Sequence, residues 1–471
     1  DDKKRGFYDR QIPTKVKTSF NSALDCNGNG LCFNYDLDSP MCPSSKVTRD
    51  RRQSPKGRAG LMREWLRLLE TKGVDVLAME QNIQNWSVKS LLDKVKNRLT
   101  NVLNRDDADD FSHEVMEAMQ GCLACKACAS QCPVKVDVPD FRARFINLYH
   151  TRYFRPLKDH LVANVEWMTP LMAKTPKLVN SVLASSIYDK LSQVSIGYVD
   201  TPLLSIPTLT QRIAQHKFTP FDLSALKSMT ADKRAKTLLI VQDPFTSFYD
   251  AKVVEDFMLL ARKLGFDPIL LPFKPNGKPQ HVKGFLAKFA KTAKNTAEFL
   301  NEVHQLDIPM VGLDASLALC FRDEYKQALG EYRGDFEVKL AHEWLITLID
   351  NNVSPVITVQ SASSIAYKLF AHCTEKTALA GSEGQWVKIF KHFGLNLSNT
   401  SLGCCGMAGT YGHEKVNLDN STSLYKMSWQ DKVVQLASAQ ILVTGYSCRS
   451  QIKRLDNKVT LHPVQALLNE L

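Results

Sequence analysis

The chain lacks any apolar run of eighteen or more residues, so no transmembrane helix is indicated. Its start, Asp1-Asp2-Lys3-Lys4-Arg5, lacks both an initiator Met and the apolar stretch of a secretory signal. It therefore reads as a processed product or a piece of something longer. No basic stripe interleaved with aromatics is present, which removes the main sequence support for nucleic-acid binding. No flavin-binding pattern is present either. Low hydrophobicity is also absent: 44% of the 471 residues are hydrophobic and 23% are charged, so disorder is not the default. The net charge of +11 reads first as a solvated basic surface, and second as affinity for an anionic membrane or acidic partner. A chain this long builds its own core and needs no disulfide framework.

What is plentiful is cysteine. Twelve occur, at 26, 32, 42, 122, 125, 128, 132, 320, 373, 404, 405 and 448. Without a signal peptide, tight clusters of them read as metal or redox sites.

The first 155 residues read as a mostly helical domain wrapped around metal. A helix opens at Pro55 behind the N-cap Ser54, with Leu61, Trp65, Leu68 and Leu69 at helical spacing. Further helical patterns cover 86–104 and 111–120, and another helix follows Pro139 with Phe141, Phe145 and Leu148 on one face. Residues 156–232 are helical in pattern but broken by prolines at 170, 176, 202, 207 and 220, as a linker or helical cap. From 233 the style becomes α/β: strands at 237–241, 268–273 and 309–313, with helices at 251–264 and 281–305 between them.

The stretch 356–471 repeats the layout of 233–355. Gly265 and Gly277 are matched by Gly394 and Gly406 at a constant offset of 129. At that offset Pro244 lies over Cys373, and Pro275-Asn276 lies over Cys404-Cys405. With a one-residue gap, Cys320 matches Cys448. Fold class is thus α followed by α/β: a helical iron–sulfur domain and two copies of one α/β unit, the second keeping its cysteines and the first retaining only Cys320.

Cys122, Cys125, Cys128 and Cys132-Pro133 form C-x2-C-x2-C-x3-C-P, the spacing of bacterial ferredoxins. Two intervening residues let a tight turn present successive thiolates to different irons of one 4Fe–4S cube. Small residues (Ala124, Ala127, Ala129) let backbone N–H groups approach the inorganic sulfides. Four-cysteine zinc sites also use C-x2-C pairs, but they separate the pairs by a longer loop. In two-cluster ferredoxins the fourth Cys of such a run ligates the other cluster. Cys26, Cys32 and Cys42-Pro43 form a half-motif, with Asn29 where a cysteine would stand. The exchange rule then gives one cluster to Cys122, Cys125, Cys128 and Cys42. It leaves Cys26, Cys32 and Cys132 for a second site, either 3Fe–4S or 4Fe–4S completed by water, Asn or Asp. The competing reading is a single cluster completed by Cys132.

In the second α/β copy, Cys373, Cys404, Cys405 and Cys448 follow predicted strands, where parallel sheets build their sites. They read as a second metal or iron–sulfur site, a redox-active thiol site, or buried structural cysteines. His372, Glu375, His413 and His462 are their candidate neighbours, His372 and His413 being weaker candidate ligands.

Taken together, the ferredoxin run followed by two cysteine-rich CCG units resembles the iron–sulfur subunits of glycolate oxidase, anaerobic glycerol-3-phosphate dehydrogenase and heterodisulfide reductase. Five strings narrow it: Cys26-Asn-Gly-Asn-Gly-Leu-Cys32, Met41-Cys42-Pro43-Ser44, Ser54-Pro-Lys-Gly-Arg58, Asp243-Pro-Phe-Thr-Ser247 and Gly403-Cys-Cys-Gly-Met-Ala-Gly-Thr-Tyr-Gly-His413. These look like the C-terminal part of the long FAD- and Fe–S-containing D-2-hydroxyacid dehydrogenases. The resemblance implies a flavin on a separate preceding domain or subunit, a substrate such as D-2-hydroxyglutarate or D-lactate, and electrons passed singly to an acceptor such as a quinone. It implies a cytoplasmic protein, peripheral on the inner face of a membrane if the acceptor is there. This chain alone would then oxidise no substrate. Two departures stand out. The first copy has Pro244 and Pro275-Asn276 in place of cysteines, which argues against a CCG-type cluster there. In the second, the terminal C-x2-C is reduced to Gly445-x2-Cys448.

Overall fold

A computed structural model describes residues 5–84, 110–351 and 365–471; the expected helix at 86–104 lies outside them. The chain divides into two compact units, Asp1–Ala163 with Pro279–Phe289, and Asn164–Lys278 with Ala290–Leu471.

The first unit is helical among its described residues. Its central helix, Pro55–Thr71, starts where expected: Ser54 Oγ accepts from Gly57 N at 3.0 Å, and Pro55 occupies the first turn. Such a cap contributes about 1 kcal/mol. The buried face is Ala59, Met62, Trp65, Leu66 and Leu69, so the expected Leu61 and Leu68 lie on its flanks. Two more helices, Ser112–Gln120 and Val138–Arg152, close this core. The Trp65 ring meets Phe145 edge-on at 4.9 Å, and its indole N–H donates to Ser112 Oγ at 2.9 Å.

The helix expected over 281–305 is two helices, Lys278–Val282 and Leu286–His304. Gly284 separates them in the left-handed region (φ +66°), where an added Cβ would stand 2.8 Å from Ile146 Cγ2. Only glycine fits that approach.

The second unit contains two parallel sheets. The first has strands β1 (Thr237–Ile240), β2 (Asp267–Leu270), β3 (Met310–Gly312) and β4 (Lys339–Leu340), in the order β2-β1-β3-β4. The second has β5 (Ala366–Phe370), β6 (Asn396–Asn399) and β7 (Ile441–Val443), in the order β6-β5-β7. Strand β2 ends before Pro272, which cannot donate to a ladder, so it is shorter than the expected 268–273.

The offset of 129 recurs element by element. Helix Pro244–Tyr249 corresponds to Cys373–Ala378, and β2 to β6. All four matched glycines have positive φ: Gly265 +86°, Gly394 +70°, Gly277 +83° and Gly406 +83°. After β6 the offset becomes 131, because β3 and helix Ala315–Arg322 correspond to β7 and helix Tyr446–Asp456. This corrects the expected match of Cys320 with Cys448. By position in the helix, Cys448 corresponds to Leu317, and Cys320 to Gln451. The copies also interlock. The last helix of the first, Ala341–Asp350, packs on Ser382–His392 of the second, while Pro463–Glu470 packs on Ala251–Lys263 of the first. One apolar core serves both.

Candidate functional site

In the first unit, seven cysteines surround two spaces. One is lined by Cys42, Cys122, Cys125 and Cys128, with Arg58 and Lys126 among its other walls. The other is lined by Cys26, Cys32, Cys128 and Cys132, with Asn29 and Lys56. Cys128 and Pro55 border both. Cys42 lines only the first and Cys132 only the second.

Cys42, Ala124 and Lys126 all adopt left-handed conformations (φ +36°, +53° and +60°). Each costs a non-glycine residue about 1 kcal/mol or more, strain of the kind found at functional sites. The reversals set amide groups facing sulfur, and Ala124 N donates to Cys122 Sγ at 3.4 Å. Burial pushes the Cys128 thiol well up, with Cys125 the next cause, and burial also raises Cys32. An isolated buried thiol thus stays protonated, and binding metal through it must displace that proton.

Two cations stand at the first space. Arg58 is 1% exposed; its Nε donates to Ala118 O at 2.7 Å, one Nη to Ser44 Oγ at 2.8 Å, and the other to Gln53 O and toward Cys42 Sγ at 3.9 Å. No carboxylate is among these acceptors. Lys126 pairs with buried Asp137 at 2.7 Å. In the second space, Asn29 Oδ1 already accepts from Leu31 N at 3.0 Å, so its amide is committed to its own loop. The role of Arg58 was not read from the sequence, although it closes the Ser54-Pro-Lys-Gly-Arg58 string.

In the second unit, Cys373, Cys404, Cys405 and Cys448 converge and are all buried. Their thiols form a chain of contacts: Cys373 with Cys404, Cys404 with Cys405, and Cys405 with Cys448. The Cys373 thiol is raised well above its ordinary range by Cys404 first and burial second. Cys405 is pulled down by Cys404, but Cys448 and burial lift it well above the ordinary value. Gly406 N donates to Cys404 Sγ at 3.3 Å.

The histidines divide. His372 caps helix Cys373–Ala378 and packs on Gly445, where an added Cβ would stand 2.3 Å from His372 Cδ2. Its buried Nδ1 has no hydrogen-bond partner among the described residues, and burial lowers its pKa. His413 turns instead to Val199 O at 3.2 Å, and burial, then Arg454, push it down to about 4. Val464 N donates to His462 Nδ1 at 3.2 Å, and Trp386 Nε1 donates to Glu375 at 3.1 Å, so both side chains serve the core. Among the described residues, no three His, Cys, Asp or Glu side chains close around a point that would hold a single metal ion.

In the first copy, the space matching the paired cysteines is taken by Glu166. Asn276 N and Gly277 N donate to its two carboxylate oxygens at 2.9 and 2.7 Å. Burial, the largest cause, raises Glu166 to about 7 despite those two bonds, and Asp243 is likewise raised by burial to about 7. Nothing in the 156–232 pattern signalled this residue.

The chain is similar to known proteins over nearly its whole length. It is 55% identical over 467 residues to the D-2-hydroxyglutarate dehydrogenase of Escherichia coli (strain K12), covering 99% of this chain and 45% of that protein. It is 48% identical over 476 residues to the same-named protein of Haemophilus influenzae (strain ATCC 51907 / DSM 11121 / KW20 / Rd), covering 99% of this chain and 46% of that one. More distantly, 233 residues are 24% identical to one of the subunits of the anaerobic glycerol-3-phosphate dehydrogenase of Escherichia coli (strain K12), 48% of this chain and 57% of that protein. The chain thus spans less than half the length of the D-2-hydroxyglutarate dehydrogenases it matches. No protein-family model and no solved structure matches it.

Proposed function

We propose that this chain is the iron–sulfur, electron-transfer part of a flavin-linked oxidoreductase that oxidises a D-2-hydroxy acid, D-2-hydroxyglutarate being favoured by the relatives' names. The observation that carries this reading is the sorting of seven cysteines around two spaces, with Cys42 and Cys132 on opposite sides. That sorting supports the ligand exchange known from two-cluster ferredoxins. Cys42, Cys122, Cys125 and Cys128 would hold a 4Fe–4S cluster; Cys26, Cys32 and Cys132 would hold a second. A bound cluster supplies one-electron transfer, which hydride chemistry at a flavin needs if the final acceptor takes electrons singly.

The protein's own residues have separate tasks. Thiolates supply the ligands. Arg58, buried beside Cys42, offsets their negative charge. Leu123, Val138 and Pro139 form an apolar wall at the first space, keeping its dielectric low. Four thiolates can also hold one zinc ion, but no three described ligands close around a point, so the set would suit a cluster, each thiolate holding one iron. The flavin sits on a partner domain or subunit, and a quinone is a suitable acceptor.

A second reading, a free-standing partner of several flavoproteins, is favoured by the likeness to a glycerol-3-phosphate dehydrogenase subunit. Co-purification of one fixed flavoprotein argues for the first reading; several different ones argue for the second. The test of the cofactor is iron and acid-labile sulfide per chain after anaerobic purification, with EPR before and after dithionite. About seven or more irons fit two clusters; about four fit one. Iron-free protein that reconstitution cannot load defeats the proposal.

A further inference from the structure

Three successive helices of the second unit expose apolar side chains, and the first and third bury polar ones instead. In Val165–Met172 the buried side chains are Glu166 and Thr169, while Trp167, Met168 and Leu171 are exposed. In Pro176–Leu183, Leu178 and Val182, one helical turn apart, are exposed and no side chain is buried. In Ser186–Ser195 the buried residue is Ser192, while Ile187, Leu191 and Val194 stand at i, i+4 and i+7 on the solvent face. Exposure reaches 55% for Trp167, 79% for Ile187 and 84% for Val194. A helix that faces water puts its apolar stripe inward. Three consecutive helices that leave apolar side chains in water, linked by turns of three and two residues, expose apolar surface of the sort that marks an interaction site.

The charges on this face indicate what covers it. Lys174, Lys177 and Lys190 are exposed among the apolar residues. Of the acids in the same stretch, Glu166 is buried against backbone amides, and Asp189 is half-buried and accepts from Gln193 Nε2 at 2.8 Å. The exposed surface is therefore apolar and cationic, with a tryptophan among its aliphatics, which is the composition of helices lying in a lipid headgroup layer. No described helix is long and apolar enough to cross a membrane, so contact would be at the surface.

We propose that the face built by Trp167, Leu171, Leu178, Ile187, Leu191 and Val194, with Lys174, Lys177 and Lys190, docks on an anionic lipid bilayer. This assignment is independent of the iron–sulfur reading. Hydrophobic side chains enter the headgroup region and the three ammonium groups contact lipid phosphates. Each lysine is expected to strengthen binding about five-fold at low salt.

The test is co-sedimentation of the full chain with vesicles of phosphatidylglycerol and phosphatidylcholine, against phosphatidylcholine alone, at low and high salt. One variant carries Ile187→Ser, Leu191→Ser and Val194→Ser; another carries Lys174→Glu, Lys177→Glu and Lys190→Glu. All six positions are exposed, and circular dichroism checks that both variants fold. Expected are pelleting with anionic vesicles, loss of most binding in either variant, and release by salt. Failure of the wild type to bind anionic vesicles overturns the proposal. So does binding that neither variant weakens. A wild-type dimer that the serine variant converts to monomer, without vesicle binding, assigns the face to a second copy of the chain and also overturns it.

Discussion

In the helical unit, cysteines line two separate spaces; in the α/β unit, four cysteines form one chain of thiol contacts. The difference begins in the backbone. Left-handed residues at 42, 124 and 126 reverse the chain beside the first set, and Lys126 lines its space. The second set comes from the ends of three parallel strands, and its sulfurs find their partners in each other. The cysteine-poor copy of the repeat adds a third case: one buried carboxylate, Glu166, takes up the loop amides of Asn276 and Gly277. The same loop geometry thus survives the loss of its cysteines.

The largest expected effect separates the two thiol sets. Cys125→Ala should remove about four irons per chain, whereas Cys405→Ala should leave the iron content unchanged. Iron lost on the second substitution would break the contrast. Next comes Gly406→Ala. Its Cβ would stand 2.2 Å from Ser421 O at φ +83°, against open space at Gly394, φ +70°. The expected losses are roughly 3 kcal/mol or more for Gly406 and about 1 kcal/mol for Gly394, read from denaturant midpoints. Equal losses would mean that the loop can give way.

Glu166 gives the pH prediction. Its folded pKa, about 7, lies above the ordinary 4.5. Its contribution is therefore fully present below pH ~4.5 and is lost as pH rises through ~7, by roughly 3 kcal/mol. Asp243, also raised to about 7, acts in the same direction. Glu166→Gln should flatten part of the fall in stability between pH 5 and 8; an unchanged slope removes Glu166 from the account. The smallest effect is at Arg58, where Arg58→Lys should weaken iron retention about ten-fold under chelator challenge.

What could be read from the sequence follows from how local each feature is. The ferredoxin spacing lies within eleven residues, and the paired glycines need positive φ in both copies, so both show in the letters alone. Pro55 and Ser54 announced their helix for the same reason. Glu166 was illegible because its acceptor role joins it to amides 110 and 111 residues away. The match of Cys320 to Cys448 failed because two extra residues after β6 moved the offset to 131, while both cysteines still follow a third strand. The break at Gly284 depends on Ile146, which no local pattern reveals.

The most direct measurement is iron, acid-labile sulfide and reduced-state EPR on Cys42→Ala and Cys132→Ala, purified anaerobically beside the unaltered chain. Ligand exchange predicts that Cys42→Ala loses the cubane signal of the Cys122, Cys125 and Cys128 site, while Cys132→Ala keeps that signal and loses the second. An unchanged signal and iron content in Cys42→Ala, with the cubane lost in Cys132→Ala, would show that Cys132 completes a single cluster and would contradict the account.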